Sequence, residues 1–279
     1  MRCLLTASVL ALSLAGLAWS TPIETSVDTS QSTVTVQLCM LGKCDSDSSP
    51  VVGSAEVKVD PVTSPASLTL YDFDFALTQS IDLYLSWTFP SGHISATGQN
   101  ISMHFPLGQP PVPPTAVTGG SFVYAGVPSD NEGTVAYTAV GMPCTLLTAA
   151  GRPCSDAIDL AEQGTTTGDM NGTVTVSPAR LLRLTLNPTY SGPIDPNYPS
   201  LGTMAISGTV VCTATIPRRG DANLDGVING KDIQGFVAVW LAPEASSWQQ
   251  RFAVDMNDDD IFDLADVQLF VECLLNGGC

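Results

Sequence analysis

Positive charge is scarce in this chain. Ten Lys and Arg stand against 27 Asp and Glu, for a formal net charge of −17. That balance repels polyanions and anionic bilayer surfaces, so nucleic acid and acidic lipid are excluded as partners, while divalent cations are compatible with it. Charged residues of both signs make up only 13% of the chain against 44% hydrophobic, which excludes a disordered acidic polymer and calls for a packed core. Histidine occurs twice, as His93 and His104. Neither has motif support, and neither a GxSxG nucleophile elbow nor an HExxH helix is present. Beyond residue 20 no apolar run is long enough to cross a bilayer as a helix.

What is present begins with a leader. Residues 1–20 read MRCLLTASVLALSLAGLAWS. Arg2 supplies a positive start, Leu4 to Leu17 an apolar run, and Ala18 and Ser20 the small residues of a cleavage site. The pattern predicts a cleaved secretory signal, too short and wrongly flanked for a membrane anchor, and a soluble chain from about Thr21 that is secreted or cell-surface associated. Export makes disulfides expected. Seven cysteines follow the leader: Cys39, Cys44, Cys144, Cys154, Cys212, Cys273 and Cys279. Their spacing suggests three local pairs, Cys39 with Cys44, Cys144 with Cys154 and Cys273 with Cys279, although spacing alone does not fix connectivity. Cys212 is left over. It shares an alternating face with Met204, Ile206, Val210 and Ile216, which reads as a buried thiol acting as a small hydrophobe.

From Ser32 to Pro217 the hydrophobic period is two. STVTVQL places Val34, Val36 and Leu38 on one face, IDLYLSWTF aligns Ile81, Leu83, Leu85, Trp87 and Phe89, and ASLTLYDF, GTVAYTAV, GTVTV, LLRLTLN and GTMAISGTVVCTATI follow the same rule. Short strands separated by Gly, Pro, Asn and Ser predict an antiparallel β-sandwich or barrel over residues 21–217. No convincing helix is expected there, DAIDLAEQ giving at most a turn or two. GQPPVPPTAVTGG (residues 108–120) reads as a proline-stiffened linker or, preferably, a long loop within one domain.

After Pro217 the period becomes helical. DIQGFVAVWL aligns Ile233, Phe236, Val237, Trp240 and Leu241, and DVQLFVECLL aligns Val267, Phe270, Val271, Leu274 and Leu275. Each helix follows a loop rich in Asp, Asn and Gly. In GDANLDGVINGKD, the residues Asp221, Asn223, Asp225, Val227 (through its carbonyl), Asn229 and Asp232 fall at positions 1, 3, 5, 7, 9 and 12 of a twelve-residue loop. That is the EF-hand spacing, in which a tightly curled loop offers a hard cation six to eight oxygens at about 2.3–2.6 Å. Gly226 at position 6 permits the positive φ of the curl. The pattern returns 34 residues later as Asp255, Asn257, Asp259, Ile261, Asp263 and Asp266, in register with the repeated helix. Two calcium ions are therefore expected. The bland alternative, a pair of polar turns with Asp232 and Asp266 starting the helices, leaves the remaining carboxylates repelling one another without gain. Asp260 replaces the position-6 glycine in the second loop, where strain and weaker binding are expected. Both loops end in Asp where Glu is usual.

Paired calcium loops, each followed by a helix and lacking the preceding helix of a true EF-hand, make residues 218–279 resemble the type I dockerin module. The resemblance implies a small all-α, calcium-organised domain that docks a cohesin-like domain on another protein. Dockerins are carried by secreted polysaccharide-degrading enzymes and by non-enzymatic proteins alike. Recognition in that family often uses the two residues before the last loop ligand, here Gly230–Lys231 and Leu264–Ala265, which differ between the repeats. Arg219–Gly220–Asp221 spells an adhesion tripeptide, but Asp221 is claimed by the first loop. Cys273 with Cys279 reads as a staple.

For residues 21–217 no family resemblance is evident. Asp72 and Asp74 share one strand face about 7 Å apart, which is compatible with paired carboxylates for glycoside hydrolysis but equally with an ordinary solvent face. Trp87, Tyr71 and Tyr84 are the candidates for a sugar-stacking strip, Trp87 reading more naturally as core. The favoured expectation is a secreted, non-enzymatic β protein displayed through the docking module. The alternatives are an extracellular hydrolase of polysaccharide O-glycosyl bonds or a carbohydrate-binding accessory protein.

Overall fold

The computed structural model describes residues 17–18, 21–194 and 198–277. The remainder of the leader, and Cys279, lie outside the described residues. The chain divides into two compact units: Pro22–Ile216, and the chain from Pro217 onward together with the described residues up to Thr21. In the latter, β1 (Leu17–Ala18) pairs antiparallel with β14 (Ile261–Phe262).

The first unit is mainly β. Its strands are β2 (Ile23–Val27), β3 (Thr33–Met40), β4 (Lys43–Asp60), β5 (Ser67–Leu77), β6 (Ile81–Thr88), β7 (Ser91–His104), β8 (Val112–Ala116), β9 (Ser121–Gly141), β10 (Ser155–Asp159), β11 (Thr166–Val176), β12 (Leu181–Pro193) and β13 (Thr203–Thr215). All pair antiparallel in one sheet. The hydrogen-bonded path runs β9, β11, β12, β13, β2, β4, β5, β7, and β7 pairs back onto β9, so the sheet closes on itself. Closure rests on strands that change neighbours along their length. β4 pairs with β3 through Lys43–Pro50 and with β5 through Val51–Asp60. β9 pairs with β11 through Ser121–Ser129 and with β7 through Asp130–Gly141. Just past the change in β4 stands Gly53, at φ 134°, where a Cβ would lie 1.8 Å from the Asp74 carbonyl oxygen. Only glycine fits that approach.

Alternating residues fill the closed sheet. Val51, Val57 and Val59 of β4, Leu68, Leu70, Phe73 and Phe75 of β5, and Leu182, Leu184 and Leu186 of β12 are all buried. The alternation slips once. At a bulge between Glu56 and Val57 the register steps from Asp72 to Leu70, so Leu70 and Phe73 both face inward. Phe73 and Phe75 stack at 5.4 Å, and Phe73 meets Phe105 edge-on at 5.9 Å. The alternation that Tyr71 shares with those phenylalanines therefore carries no exposed stacking strip. Tyr84 is exposed and lies beside His93 at 5.6 Å. Trp87 packs against a cluster of Met40, Leu85, Ile94, Leu147 and Leu201.

Three sequence expectations need correction. Residues 112–116 are neither linker nor loop: they form β8, held to β5 through Val112, Thr115 and Ala116. Its two prolines are tolerated because β8 pairs on one side only. DAIDLAEQ is helical only at its end. Its first residues form β10 against Thr134–Tyr137, followed by a short 3-10 turn at Ala161–Gln163. A helix also stands where none was expected: α1 (Met142–Ala149), with Pro143 in its first turn, is the α-helix among the described residues of this unit. The Cys144–Cys154 disulfide ties α1 to the chain entering β10, and Cys39–Cys44 clasps the β3–β4 hairpin across the positive-φ turn Leu41–Gly42. Cys273 is disulfide-bonded. Cys212 is free and buried, and desolvation pushes its thiol up to about 11.

β6 pairs only with β7, which leaves one edge open. Asp45 and Asp47 of β4 cover it: the Tyr84 N–H donates to Asp45 at 2.7 Å and the Asp82 N–H to Asp47 at 2.8 Å. Edge strands with bare N–H groups invite unwanted pairing. The Asp82 and Ser48 amides hold the Asp47 carboxyl below its ordinary value. A carboxyl lowered by folding contributes stability that is complete above its unfolded value, about 3.9, and is lost as pH falls through the folded one. Amide exchange should therefore show protection at Asp82 that is constant at neutral pH and declines below about pH 4. Asp45→Ala with Asp47→Ala should lose protection at both Asp82 and Tyr84 at every pH. Unchanged protection in that variant would contradict the covering role.

Candidate metal centre

The second unit carries α2 (Asp232–Leu241), α3 (Trp248–Val254) and α4 (Leu264–Leu275). The helical reading over 232–241 matches α2, whereas α4 starts two residues ahead of the DVQLFVECLL pattern because Asp263 caps it, accepting the Ala265 N–H at 2.7 Å. The second loop is also not free of a preceding helix. α3 ends at Val254, directly before Asp255, and begins with a capping box of Ser247 and Gln250. Ala222, Phe236, Val239, Val254 and Phe270 form the core, in which Phe236 and Phe270 stack at 4.3 Å. The two phenylalanines are repeat equivalents, so the duplicated sequence packs as a duplicated pair.

The two loops make nearly the same hydrogen bonds. At position 1, Asp221 accepts the Gly226 N–H at 3.0 Å, and Asp255 accepts those of Asp258 at 2.9 Å and Asp260 at 3.3 Å. At position 3, Asn223 accepts from Asp225 and Asn257 from Asp259. At position 5, Asp225 accepts from Val227 and Asp259 from Ile261, both at 2.9 Å. At position 9, Asn229 accepts from Lys231 and Asp263 from Ala265. At position 12, Asp232 takes the Asn223 and Asn229 amides on its two oxygens, while Asp266 takes those of Met256 and Asp263. The backbone repeats as well: Leu224 and Gly226 in one loop, Asp258 and Asp260 in the other, all have positive φ, between 60° and 84°. The carbonyl of Val227 accepts from the Asn229 side chain at 3.2 Å, and Ile261 lies in β14.

Burial separates these residues by role. Asp221, Asp232, Asp255 and Asp266, the first and last of each loop, are 4%, 0%, 1% and 0% exposed. Burial raises the carboxyls of Asp255 and Asp266 above the ordinary carboxylate value. Arg219 opposes that rise for Asp255, and the Asp263 and Met256 amides oppose it for Asp266. The Oδ1 of Asp221 is buried with no hydrogen-bond donor. A buried carboxylate oxygen without a donor is costly unless a cation meets it. Among the described residues, no three His, Cys, Asp or Glu side chains converge as a ready metal cluster. The oxygens offered here come from a buried carboxylate pair in each loop, joined by Asn or Asp side chains and a main-chain carbonyl. That all-oxygen set suits a hard divalent cation.

Arg219 spans from the head of the first loop to the second. Its guanidinium lies 2.5 Å from Asp258, 3.6 Å from Asp255 and 4.6 Å from the centre of the Phe252 ring. With Arg219 so engaged and Asp221 buried, the Arg219–Gly220–Asp221 tripeptide is not offered to a receptor.

In the first unit, Asp72 accepts the N–H of its neighbour Phe73 at 2.7 Å. Asp74 lies opposite His104, which lies opposite Asp130. No family model matches the chain, and no curated protein matches it in sequence.

Phe270→Ala removes half of the stacked pair from a small core, and such truncations cost about 3–5 kcal/mol. Loss of amide-exchange protection throughout α2 and α4 is the expected result, and retained protection in α2 would contradict the shared core.

Proposed function

We propose that residues 218–279 form a dockerin-like docking module, organised by two calcium ions, that fastens an exported, non-enzymatic β domain to a cohesin-like domain of another protein. The observation that carries the calcium part is the buried Asp221 Oδ1 without a donor, set in a loop whose hydrogen bonds are closely repeated in a second loop. Asp221, Asn223, Asp225, the Val227 carbonyl, Asn229 and Asp232 would hold one ion. Asp255, Asn257, Asp259, the Ile261 carbonyl, Asp263 and Asp266 would hold the other. Each ion would neutralise a buried carboxylate pair. A unit of this size buries little apolar area, so ion binding supplies part of its folding free energy.

A duplicated apolar stripe supports the docking part. Ile233, Val237 and Leu241 lie on one line of α2 and are 50%, 48% and 77% exposed. Their counterparts on α4 continue the pattern, with Val271 and Leu275 at 46% and 81%, and Leu264 at 72% precedes them. These positions belong to the apolar helix faces of the sequence, yet the core claims Phe236 and Phe270 instead. A small helical unit that leaves such a surface uncovered is suited to meeting a partner. Lys231 stands beside the stripe where the other repeat has Ala265, which favours one binding orientation over two equivalent ones.

Calorimetric titration of the full secreted chain should find two calcium sites, with Asp221→Ala removing one and Asp255→Ala the other. Calcium at a hundred times its Kd should stabilise the module by about 2.7 kcal/mol per occupied site over chelator. Absence of calcium heat in the unsubstituted chain would overturn the assignment. On immobilised cohesin domains, Leu241→Asp with Leu275→Asp should abolish calcium-dependent retention while leaving the calcium titration unchanged. Retention that persists in that variant would overturn the docking surface.

A further inference from the structure

The two loops differ in a way that their shared metal chemistry does not require. Where the first has Leu224 and Gly226 at positions 4 and 6, the second has Asp258 and Asp260. All four adopt positive φ, which a non-glycine residue accepts only against steric opposition. Each extra Asp also adds like charge to a loop that already holds Asp255, Asp259, Asp263 and Asp266. Two such residues in strained backbone need compensation from outside the loop. Asp258 has it in the Arg219 guanidinium at 2.5 Å.

For Asp260, one such group is Thr21. The Thr21 main-chain nitrogen and its hydroxyl each lie 3.4 Å from Asp260 Oδ1, and Thr21 is 5% exposed. With the leader attached, that nitrogen is a neutral amide and the contact is a long hydrogen bond. Removal of the leader changes its chemistry. Hydrolysis of the Ser20–Thr21 peptide bond consumes one water, leaves a carboxylate on Ser20, and leaves an ammonium on Thr21. The same step removes Leu17–Ala18, the strand paired with Ile261–Phe262.

We propose that the α-ammonium of processed Thr21 pairs with Asp260, seating the new N-terminus on the second calcium loop through a contact that exists only after leader removal. The inference rests on the export reading, and it explains why position 6 of this loop carries an acid in place of glycine. The ammonium and Arg219 together place two cations against the two surplus carboxylates of the loop. The charge count of the second loop is then brought back to that of a loop without the extra acids, and the neutral-amide contact becomes a charge-assisted one. Shielded by this pairing, the terminal amine is withdrawn from acylating reagents and aminopeptidases.

The experiment uses the full secreted chain. Intact mass reports the N-terminal residue, and the rate of acylation of its α-amine at neutral pH is compared with that of exposed Lys43 in the same molecule. Two comparison proteins are needed: Asp260→Gly, which copies position 6 of the first loop, and a chain extended by Gly-Ser ahead of Thr21, which moves the ammonium away while keeping Asp260. The expected result is a Thr21 amine that reacts several-fold more slowly than the terminal amine of either comparison protein, with Lys43 rates equal in all three. A mass that begins at a residue other than Thr21 overturns the inference together with the export reading. A mass that begins at Thr21 with equal amine rates in all three proteins overturns the pairing and leaves export standing.

Discussion

Four carboxylates with almost no access to water govern the small unit of this protein. Asp221, Asp232, Asp255 and Asp266 are buried among main-chain amides that satisfy most of their oxygens but not their charge. Amide donors orient a carboxylate and lower its cost without neutralising it. Burial raises the carboxyls of Asp255 and Asp266 above the ordinary carboxylate value. A cation in each loop would relieve all four at once. Around this constraint the other features order themselves: the positive-φ residues that curl both loops, Arg219 reaching across to the second loop, and the Phe236–Phe270 stack that joins the helices leaving the two loops.

The β unit solves a different problem, that of a sheet with few places to end. Long strands that change partners let the sheet return on itself from β9 round to β7, so most main-chain groups are paired internally. The strands left outside the ring are handled singly. β8 carries two prolines in a five-residue stretch, and the bare side of β6 is covered by Asp45 and Asp47. Such devices keep a disulfide-bonded sheet domain from pairing with its neighbours. They account for Asp45 and Asp47 without invoking a ligand.

Legibility from sequence followed the range of the interactions. The loops were visible because a ligand pattern repeated at a fixed offset is a local signal, as were the strands with clean alternation, such as Ile81 to Leu85. The pairs Cys39–Cys44 and Cys144–Cys154 followed from spacing for the same reason. What escaped depended on distant partners. Val112–Ala116 becomes a strand only because β5 offers it an edge, and its prolines hid that. DAIDLAEQ begins with good helix composition but pairs with β9. The bulge at Tyr71 moves a side chain off the face that strict alternation gives it, and no local feature announces the slip. α1 and α3 were legible in principle, from Pro143 at a helix start and from the Ser247–Gln250 capping box. The sequence aligns each apolar helix face but not its division in the packing, into buried Phe236 and Phe270 and an exposed stripe through Val237, Leu241, Val271 and Leu275.

The most direct test of the central claim is a crystal structure of the chain grown in millimolar calcium, with anomalous scattering recorded. One anomalous peak is expected inside each loop, surrounded by the oxygens of its six named residues at about 2.3–2.6 Å. Two empty loops, with Asp221 Oδ1 still lacking any partner, would contradict it.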